Sequence, residues 1–313
     1  MKRLIGSLFL LPMLCFAAES RVHSLDIKIL STMLADDDGF GEWGFAALVV
    51  ADGHRILFDT GAHPDTVLRN AKALQVDLSN VPDVILSHNH LDHTAGLITL
   101  RREYPKSLGR AHAGNGILTR RVRADGTDAN KVPAMKAEFE ALGGKFLSYD
   151  KPTEIYPGIW LTGPVPRAYP ERNWSGSLSL IGAGGNKLGE DNLPEDQSLI
   201  FDTDKGLVVL SGCGHSGIIN TMEYARAKVR TTNIHAAIGG FHLYAASDET
   251  LAWTAGKLKD FGLQNLLGAH CTGIEAVYRI RELVGLNRKT AAVGALGGGF
   301  LLGSGLSPGN ISK

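Results

Sequence analysis

Apolar residues along this chain gather in short runs, and the spacing within the runs alternates between two periods. Val22–Thr32 carries apolar residues at Val22, Leu25, Ile27, Ile29 and Leu30 and predicts a strand. Gly44–Val50 and His54–Phe58 flank Asp52-Gly53, the dipeptide of a tight two-residue hairpin. Helical spacing covers Asp65–Leu74, and Val81–Leu86 is a short apolar run begun by proline, the pattern of a buried strand. A helix is expected from Thr94 to Arg102, a strand from Gly109 to His112 and a helix from Met135 to Leu142. Residues 119–135, with Arg120, Arg121, Arg123 and several aspartates, read as an exposed excursion. Short strands are expected within Lys145–Leu161.

Gly163–Pro194 has little periodicity, and so long an irregular stretch is usually functional or mobile. Its aromatic portion, Tyr169–Trp174, is a candidate lining for a substrate cleft. Regular spacing then returns. Strands are predicted at Gln197–Thr203, Gly206–Ser211, His235–Ile238 and Gln264–Gly268, with helices at Ile218–Lys228, Glu249–Asp260 and Glu275–Leu283. Gly297–Gly299 reads as a loop and the tail after Leu302 as a frayed end. Strands alternating with helices through both halves predict an α/β architecture.

Composition narrows the function classes. A hydrophobic share of 44% supplies a packed core, and 32 basic against 32 acidic residues leave no global field for nucleic acid or an anionic membrane. Lys2 and Arg3, the apolar stretch Leu4–Phe16 and the small residues of Ala17-Ala18-Glu19-Ser20 predict a secretory signal peptide over residues 1–20. The apolar run is short for a membrane span. The expected mature protein is therefore exported or periplasmic, with no stable span after processing, and comprises one domain over residues 21–313.

The chemistry centres on Ser87-His88-Asn89-His90-Leu91-Asp92-His93-Thr94. Placed between a strand end and a helix start, these residues occupy the usual ligand position of an α/β sheet. Imidazole nitrogen and carboxylate oxygen suit zinc, iron or manganese. His88 and His90 point one way from an extended turn, Asp92 and His93 toward a neighbouring point, so the spacing suggests two ions. Asp59 closes its strand in Asp59-Thr60-Gly61, either as a helix cap or as a residue that orients a ligand histidine. Gly212-Cys213-Gly214-His215-Ser216-Gly217 matches G-x-G-x-x-G between a strand and a helix. The acidic residue that a dinucleotide site needs further on is missing from Thr231–His235, so the stretch makes better sense as a sharp turn presenting His215.

His88-x-His90-x-Asp92-His93 resembles the HxHxDH motif of the metallo-β-lactamase superfamily. Leu57–Gly61, Glu195-Asp196-Gln197, Gly212–Gly217, Gly239–Leu243 and His270–Gly273 resemble the branch of dihydropterin ribofuranosylaminobenzene phosphate synthase-like proteins. The resemblance implies a four-layer αββα sandwich. It also implies His270 as terminal ligand of the second metal and a role for Asp59 beside a ligand histidine. The family's third ligand to the first metal and its bridging aspartate have no direct counterparts here. His215 takes the ligand position, with Asp196 and then Cys213 as further candidates. His242 is expected to contact substrate or act as an acid, beside Asp92.

The expected activity is hydrolysis of a small ester, lactone, amide or phosphoester, with two zinc ions (iron or manganese as alternatives) favouring an anionic substrate. A ligand-binding or di-iron redox protein without hydrolytic activity, and a pterin-type synthase, stay open. Cys213 and Cys271 are the cysteines left after the leader, and a disulfide, inert buried thiols or a Cys213 metal thiolate all remain possible.

Overall fold

The structure, a computed structural model, describes residues 20–37, 39–174 and 176–312. The signal peptide expected over residues 1–20 lies outside them, except for Ser20. In chain order the first half runs β1 (Leu25–Ser31), β2 (Ala46–Ala51), β3 (His54–Phe58), α1 (Thr66–Ala73), β4 (Asp83–Leu86), α2 (Leu91–Thr94), α3 (Leu97–Glu103), β5 (Arg110–Gly114), β6 (Arg120–Val122), α4 (Val132–Ala141), β7 (Lys145–Tyr149), β8 (Thr153–Tyr156) and β9 (Ile159–Leu161). The second half runs β10 (Ser179–Ile181), β11 (Lys187–Glu190), β12 (Ser198–Thr203), β13 (Gly206–Ser211), α5 (Ile218–Lys228), β14 (Ile234–Gly239), α6 (Asp248–Asp260), β15 (Asn265–Gly268), α7 (Ile274–Val284), β16 (Ala291–Val293), β17 (Gly299–Leu301) and β18 (Gly305–Ser307).

Two large sheets face each other. One has the order β18-β17-β1-β2-β3-β4-β5-β7, the other β16-β15-β14-β13-β12-β9-β8. Strand β13 shows why they stack. Its residues are all buried, and alternate side chains enter different cores: Val208 and Leu210 face the opposite sheet, while Leu207 and Val209 face helices α5 to α7. Burial on both faces gives the continuous apolar run seen in the sequence. On the other sheet Ile56 and Phe58 join the central core while Leu57 packs toward α1, α3 and α4. The result is four layers, helix–sheet–sheet–helix.

β3, β4, β5 and β7 run parallel, as do β13, β14, β15 and β16. The carboxyl ends of these strands carry Asp59, His88, Cys213, His242 and His270, so both sheets deliver their ligand-type residues to one edge.

Several local expectations are corrected. The helix expected over Thr94–Arg102 is two helices, and the first begins at Leu91, inside the histidine motif. The break falls at Ala95-Gly96, where the Ala95 N–H reaches Gly61 O at 3.2 Å. The excursion over 119–135 is not wholly exposed: Arg121 is fully buried on β6, the edge of a small third sheet in which β10 pairs with both β6 and β11. The glycine-rich stretch 297–299 leads into β17, which pairs with β1 and buries Phe300, and β18 follows where a frayed tail was expected.

Candidate metal centre

Two turns meet here, Ser87–His93 after β4 and Gly212–Gly217 after β13. A side chain at position 212 would prevent the meeting. A Cβ there would lie 2.2 Å from Ser87 Oγ and 2.5 Å from Asp59 Oδ2, so only glycine lets the two strand ends approach.

The ligand-type atoms fall into overlapping groups whose members lie within 4.8 Å of one another: Asp92, His93, Cys213 and His270; His88, Cys213 and His215; Cys213, His242 and Cys271; and His88, His90 and Asp92. His88, His93, His215 and His270 are buried. His93 Nε2 lies 3.1 Å from Cys213 Sγ and 3.2 Å from His270 Nε2, and His270 Nε2 lies 3.3 Å from Asp92 Oδ2. The His215 ring stands 4.6 Å from that of His88 and 4.9 Å from that of His90, centroid to centroid. Cys213 thus belongs to three of these groups, while Asp196 belongs to none among the described residues.

The neighbours of these residues fix which ring nitrogen faces inward. Asp59 Oδ2 lies 2.7 Å from His93 Nδ1, and the same carboxylate accepts from Ser87 N and Ser87 Oγ. His88 Nδ1 meets Ser87 Oγ at 2.9 Å, and His215 Nδ1 meets the carbonyl oxygen of Asn173. With Nδ1 engaged outward, each Nε2 is turned toward the ligand cluster. His88 Nε2 and His215 Nε2 are buried and have no protein partner. Orphaned buried imidazole nitrogens are costly unless something binds them, and their convergence with a carboxylate and a thiol is the donor chemistry of a zinc-type centre. On this test the residues fit a metal.

Electrostatics agree. Burial holds His88 and His215 well below the ordinary histidine range, and holds His90 at about 4, so these rings are neutral and free to coordinate. Burial opposes the charge on Asp92, yet His93 and His270 keep it well below the carboxylate range. Burial likewise works against protonated His270, but Cys271 and Asp92 outweigh it and raise the ring to about 10.

Asp59, His242 and His270 share a further property: their φ angles are 57°, 48° and 46°, in the left-handed region that non-glycine residues avoid. Strain at three strand ends around one point is usual where a fold sacrifices local comfort to aim side chains. His242 packs 4.5 Å from the His215 ring, has an unpartnered Nδ1, and lines a cavity of about 610 Å³. Of the expected cleft stretch Tyr169–Trp174, residues Pro170 to Trp174 form one wall while Tyr169 does not line it, and the other wall runs from Leu243 to Ser247 and on to Trp253 and Thr254. Beside it Trp43 and Tyr244, 48% and 55% exposed, meet edge to face at 5.6 Å, and Trp43 reaches the His270 ring at 5.1 Å.

His215 is 1% exposed, so the turn aims it inward rather than displaying it. The glycine motif holds no dinucleotide position either, because Glu171 sits over the start of α5. Its carboxylate accepts from Ile219 N and Asn220 N at 3.2 and 2.8 Å, where a pyrophosphate would lie. A Cβ at position 217 would come within 2.1 Å of Glu171 Oε2. Cys213 and Cys271 are free thiols with Sγ atoms 3.1 Å apart. Cys271, expected beside Cys213 from its place directly after His270, does lie there; Arg121, Glu171 and Asn173 are not legible as partners of the histidine turns, because their signal is tertiary.

Residues 44–229 match the model of the metallo-beta-lactamase superfamily. The chain is 30% identical over 226 residues to the 7,8-dihydropterin-6-methyl-4-(beta-D-ribofuranosyl)-aminobenzene-5'-phosphate synthase of Methanocaldococcus jannaschii, covering 71% of this chain and 76% of that protein. An uncharacterised protein of the same organism is 30% identical over 268 residues, 82% of this chain and 94% of its own length. Among solved structures, a metal-dependent hydrolase of the beta-lactamase superfamily superposes with a TM-score of 0.68 at 28% identity, over 84% of this chain and 93% of that one. Zinc-bound PqqB of Methylobacterium extorquens shares the fold, with a TM-score of 0.53 at 16% identity over 88% of this chain and 99% of its own.

Proposed function

The chain belongs to the metallo-β-lactamase superfamily, and on that premise we propose that residues 21–313 form one metal-dependent hydrolase domain acting on a small ester, lactone, amide or phosphoester, exported after loss of residues 1–20. The observation that carries this reading is the pair of buried, partnerless Nε2 atoms of His88 and His215 beside the Asp92–His93–Cys213–His270 group. In this reading His88, His90 and His215 hold a first ion, and Asp92, His93, Cys213 and His270 a second. Zinc is proposed for both, since a mixed set of nitrogen, oxygen and sulfur donors suits it.

Bound zinc supplies Lewis acidity toward the scissile carbonyl or phosphoryl group and brings the pKa of water near neutrality. The chain's own residues do the rest. Asp59 locks His93 in the tautomer that offers Nε2 inward. Asp92 offsets part of the cationic charge, and the surplus favours an anionic group on the substrate. His242 stands between the ligand cluster and the cavity, placed to contact substrate and to pass a proton to the leaving group.

A second reading, a pterin-type synthase, is favoured by the 30% identity to the archaeal synthase. Metal analysis coupled to a panel of esters, lactones, phosphodiesters and β-lactams separates the readings. Zinc with turnover of one class supports the hydrolase. Zinc with no hydrolysis but formation of a dihydropterin-linked ribofuranosylaminobenzene phosphate supports the synthase, and iron with a redox-active spectrum supports the non-hydrolytic redox alternative.

A further inference from the structure

Glu195, Asp196 and Gln197 are buried where the chain enters β12, between the two histidine turns. Each reaches a different backbone. Glu195 Oε1 accepts from the N–H of Asn89, the residue between His88 and His90, at 3.3 Å. With the Asn89 amide oriented nitrogen toward the carboxylate, a second bond to Oε1 forms at 3.1 Å and its oxygen accepts from Arg121 Nε at 3.3 Å. Arg121, itself fully buried, pairs with Glu195 Oε2 at 2.5 Å and with Asp191 at 2.9 Å. Asp196 points the other way, its Oδ2 accepting from the N–H of Ser216, next to His215, at 2.8 Å. Gln197 closes the seam through Ser87 O at 3.0 Å and Leu86 O at 3.0 Å.

Two adjacent buried carboxylates are expensive: burial raises Glu195 to about 7 and Asp196 to about 6. Neither carboxylate joins a ligand group among the described residues. What they gain is contact with the two turns that carry His88, His90 and His215, turns more than a hundred residues apart in sequence. We propose that Glu195 and Asp196 are positioning residues, a clamp that holds the His88–His90 turn and the His215 turn together as one ligand set for the first ion. This inference rests on the binuclear reading above.

The test is metal binding, measured by equilibrium titration against a chromophoric chelator on the full mature protein, with folding checked by circular dichroism. Wild type is expected to bind two zinc ions. Glu195→Ala and Asp196→Ala should each weaken one ion by about 10–100-fold, the effect typical of removing a residue that orients a ligand, and leave the other within about threefold. Asp196→Asn keeps an oxygen for the Ser216 N–H and should restore wild-type binding; Asp196→Ser replaces the alanine variant if that does not fold. Folded alanine or serine variants binding both ions normally, or a folded Asp196→Asn that loses the first ion, would overturn the clamp. A wild type that binds no metal would instead overturn the binuclear reading itself.

Discussion

Asp59 Oδ2 lies 2.7 Å from Nδ1 of His93, with both side chains fully buried, and this contact sets the direction in which His93 faces. The carboxylate is the acceptor for Ser87 N, Ser87 Oγ and His93 at once. Asp59→Asn presents an amide to one of these donors and should weaken metal binding by about 10–100-fold while the fold persists. Zinc titration in competition with a chelator measures this; unchanged affinity would show that the contact does not orient the ligand.

His215 and His242 are adjacent rings with different expected roles. His215→Ala should remove about one equivalent of zinc, because its Nε2 faces the ligand cluster. His242→Ala should retain both and alter kcat or KM, because it lines the cavity. Metal counts on purified variants decide it, and the reverse pattern would mean that the roles are exchanged.

Cys213 and Cys271, both buried, should titrate as two free thiols in the unfolded, metal-free, unreduced protein. Cys213→Ser should then lose zinc and Cys271→Ser keep more of it, since Cys213 joins the groups with Asp92, His93, His270, His88 and His215, whereas Cys271 joins one group, with Cys213 and His242. No titratable thiol would indicate a disulfide, and full metal retention by Cys213→Ser would remove the thiolate from the ligand set.

Away from the centre, buried Asp83 accepts from Arg110, His112 and Tyr156. Burial opposes its charge, but these partners hold its pKa below the ordinary carboxylate value. The unfolded chain therefore binds this proton more readily, and the contribution is fully present above about pH 5 and fades as pH falls below about 4. Asp83→Asn should cost about 1–3 kcal/mol at neutral pH. Urea melts at pH 7 and pH 3 should show a smaller difference at pH 3, with complete loss only once the pH falls through the depressed folded-state value; a constant difference would contradict it.

The sequence made legible what depends on local pattern. Alternating strands and helices, the hairpin at Asp52-Gly53 and the candidate ligands His88, His90, Asp92, His93, His215 and His270, which the fold gathers in one place, are readable because each sits at a strand end or in a short motif. What stayed hidden depends on partners far along the chain. Arg121 lies in a run of charges that looks solvated, and its burial follows from Asp191 and Glu195, 70 and 74 positions away. Phe300 follows three glycines that suggest a loop, and only pairing with β1 makes it a strand residue. Cys213 ranked behind Asp196 as a ligand candidate, because spacing could not show that Asp196 turns to Ser216 while the thiol faces His93.

The proposed binuclear, metal-dependent hydrolytic centre stands or falls on zinc content and hydrolysis followed together during chelation and reconstitution, for wild type and for His90→Ala. Wild type should hold about two zinc per chain and lose turnover in step with the metal, both recovering on zinc addition, with His90→Ala holding less metal and working several orders of magnitude more slowly. Hydrolysis that persists at the wild-type rate after complete removal of metal would contradict it.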